Sequence, residues 1–344
     1  MSAALRVGVV GVGMMGADHA ERLAVRTAGA VLTAVADPDL GRAQELAGRL
    51  GATAFGDPLD LIASAEVDAV LLASPGFVHE EQVLACFAAG KPVLCEKPMT
   101  MDIESSLRIV EAEGALDHPL LSVGFMRRFD PEYAQLQRML AGEAFGPLLV
   151  MHQTHRNRSV PNPEFRSEMI VRDSLVHEVD CARFFVGDEI AEIQVIAPRP
   201  TSKAFEGVAD PQIAIFRMAN GVVVTNEVFV NCQVGYEVRA EAVCERGTAI
   251  AGRPQTGLYS TVSSGGSTPE GYWGGMVHDD FRQRFGRAYD LEVQAWVNAS
   301  RSGGVVGANA WDGYAATAVC EAGMASLASG EPVAVTLVDP VTRS

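Results

Sequence analysis

Gly11-Val12-Gly13-Met14-Met15-Gly16 reads G-x-G-x-x-G and follows the apolar run Leu5–Val10 directly. Alone the hexapeptide is a weak signal. Between a strand and a helix running to about Val25 it becomes specific for a dinucleotide. The first glycine permits the tight turn, the second lets the backbone approach a pyrophosphate, and the third lets helix and strand pack closely. The helix N-terminus then faces the phosphate charge, and Met14 and Met15 offer a soft packing surface beside it. The next strand, Val31–Ala36, ends at Asp37, 21 residues past Gly16. An acid about 20 residues on accepts hydrogen bonds from the adenosine ribose hydroxyls and repels a 2′-phosphate, so the cofactor expected is NAD. Asp37 also precedes Pro38 and can help to cap the following helix.

Outward from this loop, short apolar runs alternate with helical segments. Ala69–Ala73, Val93–Cys95 and Leu120–Val123 read as strands, and His79–Ala89 as a helix ended by Gly90. Continuous apolar strands alternating with helices imply a parallel sheet covered on both faces. The pattern changes after about Gly124. Val150–Thr154, Ile190–Ala197, Gln212–Met218, Val222–Val230 and Tyr236–Cys244 are longer strand-like runs, with the hairpin signal Asn220-Gly221 between two of them. A helix is expected from about Ser174 to Phe185, another from Ala308 to Gly330, and a flexible loop at Ser263–Ser267. The expected architecture is an α/β Rossmann dinucleotide-binding domain over residues 1–124. An α+β domain with a large open, mostly antiparallel sheet follows over 125–344, its last helix packing back towards the first domain.

The chain bounds its partners as well. With 344 residues, 48% apolar and 20% charged, it is an ordinary globular composition large enough for two domains. The net charge is −16 and no Lys/Arg run occurs, which argues against nucleic acid and anionic membrane and favours a neutral small substrate. No apolar stretch approaches the roughly 20 residues that span a bilayer, and no signal-peptide pattern precedes Leu5. Cys86, Cys95, Cys181, Cys232, Cys244 and Cys320 are scattered, so buried free thiols in a cytoplasmic protein are expected. No His/Cys/Asp/Glu set has metal-ligand spacing, so no metal is expected.

A dinucleotide fold does not name a reaction. Val93-Leu94-Cys95-Glu96-Lys97-Pro98 narrows it, because a strand ending in Glu-Lys-Pro behind such a loop resembles the glucose–fructose oxidoreductase and inositol dehydrogenase family. The resemblance continues in Gly124-Phe125-Met126-Arg127-Arg128-Phe129-Asp130 and in Asp173-Ser174-Leu175-Val176-His177-Glu178-Val179-Asp180. Ala310-Trp311-Asp312-Gly313-Tyr314-Ala315-Ala316 is similar to the inositol dehydrogenase branch of that family. The resemblance implies that Lys97 reaches the active site and that the bond before Pro98 can be cis. It also implies substrate contacts from Arg127, His155, Asn157 and Tyr236, cofactor contacts from Ser74, Pro75, His79, Glu96, Lys97 and Met126, and a homotetramer. One departure is visible. The family often carries Thr-Pro-Asn before a histidine, whereas this chain has Ser74-Pro75-Gly76-Phe77-Val78-His79. Met126 reads equally as a core residue.

Oxidising an alcohol moves a hydride to the nicotinamide and a proton to a base; the protein supplies position and proton transfer. A histidine suits the base near neutrality. Asp173 and His177 are spaced i, i+4, which on a helix gives them one face. The carboxylate can fix the imidazole tautomer and stabilise the imidazolium, or touch a substrate hydroxyl itself. Lys97, at the C-terminal end of a strand, can stabilise developing alkoxide charge, or act as acid/base if burial depresses its pKa. The expected reaction is NAD-dependent oxidation of one secondary hydroxyl of a cyclitol such as myo-inositol, in a cleft between the domains. Another sugar or cyclitol, a non-catalytic NAD-binding sensor, and recycling of a retained cofactor are the alternatives.

Overall fold

The computed structural model describes residues 3–160, 162–252 and 278–338. The chain forms two compact units. One holds the chain through Phe129 together with Ala288–Thr317, and the other holds Asp130–Arg287 and Ala318–Thr336. Residues 288–317, assigned by sequence to the second domain, thus belong to the first unit. The loop expected at Ser263–Ser267 lies outside the described residues.

In the first unit β1 (Leu5–Val10), α1 (Met14–Val25), β2 (Ala30–Ala36), α2 (Leu40–Leu50), β3 (Thr53–Phe55), α3 (Pro58–Ala63), β4 (Ala69–Leu72), α4 (His79–Ala88), β5 (Val93–Glu96), α5 (Ile103–Gly114) and β6 (Leu121–Gly124) alternate. The strands pair in parallel in the order β3-β2-β1-β4-β5-β6. All four residues of β4 and of β5 are buried, as strands covered on both faces require. Side-chain caps set the helix starts. Asp39, Asp57 and Asp102 accept from backbone amides of α2, α3 and α5. The order reverses between β1 and β4, and ligands of doubly wound sheets bind outside the strand ends at such a switch point. The glycine loop, the Ser74 loop and Lys97 follow the C-terminal ends of β1, β4 and β5 there.

The second unit runs through α6 (Pro131–Ala141), β7 (Leu148–Arg156), α7 (Ser167–Met169), a π-helical turn (Ile170–Leu175), α8 (Val176–Val186), β8 (Ile190–Ile196), β9 (Gln212–Met218), β10 (Val223–Phe229), β11 (Glu237–Cys244) and β12 (Gly247–Ala251). After α9 (Phe281–Arg301) and α10 (Ala310–Ser329), β13 (Val333–Ala334) completes a seven-stranded sheet in the order β12-β11-β7-β10-β9-β8-β13. Among the described residues of this sheet, β7 and β10 pair in parallel and the other neighbours are antiparallel. Asn220-Gly221 makes the β9–β10 hairpin, with Gly221 at φ +90. Val293, Trp296 and Val297 of α9 join Val7, Val9, Leu71 and Leu94 in the core of the first unit, which accounts for its recruitment of residues 288–317.

Candidate active site

The glycine loop fits a dinucleotide. Gly11 sits at φ +81, and a Cβ there would meet the Ser74 amide nitrogen at 2.6 Å. A Cβ on Gly16 would stand 1.6 Å from the Gly11 carbonyl oxygen, so helix and turn close only on glycine. At Gly13 nothing lies within 4 Å, which leaves the space a pyrophosphate would take. Gly13 is the N-cap of α1 and gives no side-chain hydrogen bond, so the first-turn amides stay available to an anion. Met14 stands open to solvent, 60% exposed.

Asp37 does more than the sequence suggests. Its Oδ2 accepts from the Val12 amide at 3.0 Å and its Oδ1 from the Asp39 amide at 2.9 Å. Asp39, not Asp37, caps α2. The Asp37 carboxylate therefore shapes the glycine loop and keeps lone pairs for ribose hydroxyls. The Arg42 guanidinium lies 3.6 Å from it.

Three of the residues expected to contact the cofactor also carry structural duties. His79 is buried, with Nδ1 2.9 Å from the Pro98 carbonyl and Nε2 2.8 Å from the Ser74 carbonyl, so it bridges two backbone segments. Burial pulls its pKa below the usual imidazole value, against the upward pull of those carbonyls and of Glu96. Glu96 is buried and accepts from His19 Nε2 at 2.8 Å and from the Lys97 amide at 3.2 Å. Met126 is a core residue. Ser74 donates its hydroxyl to Gln82 at 2.5 Å. At Gly76 a Cβ would stand 2.9 Å from Met101 Sδ and 3.2 Å from Pro98 Cγ, so a larger residue there would shift the Met101 side chain.

Lys97 directly follows β5, and the Lys97–Pro98 bond is cis. Only three of the chain's 27 Lys and Arg residues are lysines: Lys91, Lys97 and Lys203. Lys91 donates to the Ile62 and Ser64 carbonyls at the end of α3, a structural duty. Where arginine serves nearly every other cationic position, an amine at the ligand-facing strand end is a signal in its own right, since only the amine can titrate usefully.

In the second unit His155, on β7, and His177, on α8, are both buried, with ring centroids 6.1 Å apart. His155 Nδ1 lies 3.0 Å from Glu178 Oε2, and Glu178 is fully buried. Tyr236 presents its ring edge to His155 at 5.7 Å. Its amide donates to the His278 carbonyl at 2.6 Å. Asp173 lies in the π-helical turn, not in a regular α-helix, and takes Arg172 on both oxygens at 2.8 and 3.0 Å. Such turns recur at functional sites because they re-aim side chains. Asn157 follows β7, its Oδ1 buried with no hydrogen-bond partner among the described residues. Nothing in the local sequence pattern marks Arg172, whereas Glu178 carries one signal, a carboxylate beside His177 in an apolar helix. Arg127 is buried in the first unit, in the 3-10 turn Met126–Phe129.

Two motifs far apart in sequence meet in the first unit. Arg128 pairs with Asp312 through both guanidinium nitrogens, each at 3.1 Å. A Cβ on Gly313 would meet Met99 Sδ at 2.7 Å, so α10 packs directly on the turn after Lys97.

The family model described as "Oxidoreductase family, NAD-binding Rossmann fold" matches residues 5–125, and "Oxidoreductase family, C-terminal alpha/beta domain" matches residues 137–335. The chain is 52% identical over 336 residues to inositol 2-dehydrogenase 4 of Saccharopolyspora erythraea, covering 97% of both proteins. It is 51% identical to inositol 2-dehydrogenase of Mycolicibacterium smegmatis, again over 97% of each. Among solved structures, myo-inositol dehydrogenase from Lactobacillus casei in complex with NAD(H) and myo-inositol is 32% identical, with a TM-score of 0.89 over 98% of both chains.

Proposed function

The chain belongs to the Gfo/Idh/MocA oxidoreductase family, and on that premise we propose that it oxidises myo-inositol to 2-keto-myo-inositol with NAD. The single observation that carries the chemistry is the buried imidazole of His177 beside His155, in a chain whose other unit has a complete dinucleotide loop. Likeness to inositol 2-dehydrogenases along nearly the whole chain supports the substrate.

NAD, when bound, accepts the hydride that leaves the carbinol carbon. His177 takes the hydroxyl proton as the C–H bond breaks, and the hydroxyl becomes the ketone. Asp173, steadied by Arg172, holds the imidazole or a neighbouring hydroxyl. Lys97 lowers the hydroxyl's pKa through its positive charge. In this reading His155, oriented by Glu178, contacts the polyol together with Tyr236 and Asn157, and Arg127 is assigned a polyol contact of its own. The glycine loop and Asp37 hold the dinucleotide.

We further propose a homotetramer built through the half-exposed face of the second unit's sheet. Val150, Ile213, Ile215, Val223 and Val243 stand half-exposed there, opposite the buried Met151, Gln153, His155, Ala214 and Val224. The same face carries His152, Arg156, Thr225 and Glu227, so a second copy seated there would meet a mixed apolar and polar surface. Light scattering checks the assembly. Among the described residues no helix is long and apolar enough to cross a membrane.

A polyol panel followed by NADH absorbance tests the substrate. Turnover of myo-inositol supports it; turnover of glucose or scyllo-inositol with none of myo-inositol overturns it.

A further inference from the structure

We infer that two buried histidines, His19 and His79, are positioning residues that brace the turn carrying Lys97; the inference rests on the reading that Lys97 serves the active site. Lys97 lies between Glu96 and Pro98, and each neighbour is held by one imidazole.

On one side, His19 projects from α1, the helix that opens at the glycine loop. It is fully buried, and its Nδ1 has no hydrogen-bond partner among the described residues. The ring is therefore committed to one hydrogen bond, which Nε2 donates to Glu96 Oε1 at 2.8 Å. The other Glu96 oxygen accepts the Lys97 amide. Tyr289 closes the far side of the imidazole edge-on, at 5.7 Å between ring centroids. Arg22, one turn on, lies over the same Tyr289 ring and pairs with Asp18 and Asp290.

On the other side, His79 opens α4 and ties the Pro98 carbonyl to the Ser74 carbonyl. Two glycines complete the brace. Gly124 pairs with Glu96 in the β5–β6 register, and a Cβ there would lie 3.2 Å from Glu96 Cα and 3.3 Å from its carboxyl carbon. Gly313 admits Met99 in the same way. Every group here acts on the backbone or carboxylate next to Lys97, so it sets where the amine points. The helices that supply the two imidazoles begin at the two loops flanking the dinucleotide crevice, which ties the amine's position to those loops.

The test compares His19→Ala, His19→Gln and Lys97→Ala, singly and combined. For His19→Ala we expect kcat to fall about ten- to a hundredfold, the scale of a displaced catalytic group. NADH affinity, read by fluorescence, should stay unchanged. His19→Gln should recover most of the loss, because its amide N–H can donate where Nε2–H did. In the Lys97→Ala background, His19→Ala should cost nothing further. A second readout needs no substrate: with only three lysines, acetylation followed by mass spectrometry reports Lys97 against Lys91 and Lys203. His19→Ala should change the Lys97 rate severalfold and leave the Lys91 rate alone. The inference is overturned if the His19 and Lys97 losses multiply, if His19→Gln is no better than His19→Ala, or if Lys97 labelling does not change. A wild-type protein that turns over no polyol would break the function reading instead, and the labelling would still decide the brace.

Discussion

Among the described residues, His19–Glu96 in the first unit and His155–Glu178 in the second are buried histidine–carboxylate pairs, at 2.8 and 3.0 Å. Both join a helix to a strand. Their surroundings differ. His19 is pressed against Tyr289 in a closed core, and its carboxylate holds a backbone amide. His155 faces another imidazole and a tyrosine ring, and its carboxylate precedes no turn that carries a cation. The same pair of side chains therefore orients a neighbour in one place and forms the wall of the proposed site in the other. What surrounds the imidazole decides its use, because a ring packed in a closed core can act only through what its partner holds.

That difference can be broken or sharpened by substitution. The largest effect is expected at His177, the imidazole beside His155. Removing the proposed base with His177→Ala should lower kcat about 10²–10⁴-fold, the usual yield of general base catalysis, with the KM for NAD unchanged. Steady-state kinetics checks this. Next comes the contrast between the two carboxylates. Glu178→Gln should lower kcat/KM for the polyol about ten- to a hundredfold, the kinetic equivalent of one hydrogen bond to a charged group. Glu96→Gln should instead lower kcat and leave the KM for the polyol alone. Equal shifts in both parameters for both variants would erase the distinction.

Smaller effects belong to the first unit. Gly13→Ala meets open space, so its melting temperature should hold while the KM for NAD rises about tenfold, the equivalent of roughly 1.4 kcal/mol. Gly16→Ala, whose Cβ would collide with the Gly11 carbonyl, should fail in stability before binding is reached. The smallest effect is a pH slope. The native pKa of His79 lies below the unfolded value near 6.5, so the unfolded chain binds the extra proton first. Stability should therefore be full above about 6.5 and decline as pH falls from there towards the native pKa. His79→Gln should flatten that decline in thermal melts read at several pH values.

The legibility of these regions in the sequence follows the range of the forces that build them. The glycine loop, the Asn220-Gly221 hairpin and the strands β1, β4 and β5 rest on local sterics and local periodicity, and each appears where those rules place it. Helix α9 is hard to read in the sequence: Phe285, Tyr289, Val293 and Trp296 recur every three or four residues, but the intervening Arg, Asp and Gly obscure the stripe. Its recruitment to the first unit depends on a core assembled from residues nearly 300 positions away in sequence. Asp173 and His177 are spaced for one face of an α-helix, but the π-helical turn begins before them and Arg172 is Asp173's immediate partner. Glu96 and His79 carried a motif and a resemblance that pointed to the cofactor. Their hydrogen bonds run to His19 and to Pro98, which only the folded chain brings near. The six cysteines are free thiols, five of them buried, as their scatter suggested.

The central claim is hydride transfer from a cyclitol to NAD with His177 taking the proton. The most direct measurement is the initial rate of NADH formation from NAD and myo-inositol by the wild-type protein and by His177→Ala, across a pH series. The expected result is turnover by the wild type and loss of the rate at every pH in His177→Ala. Unchanged turnover and an unchanged pH profile in His177→Ala would contradict it.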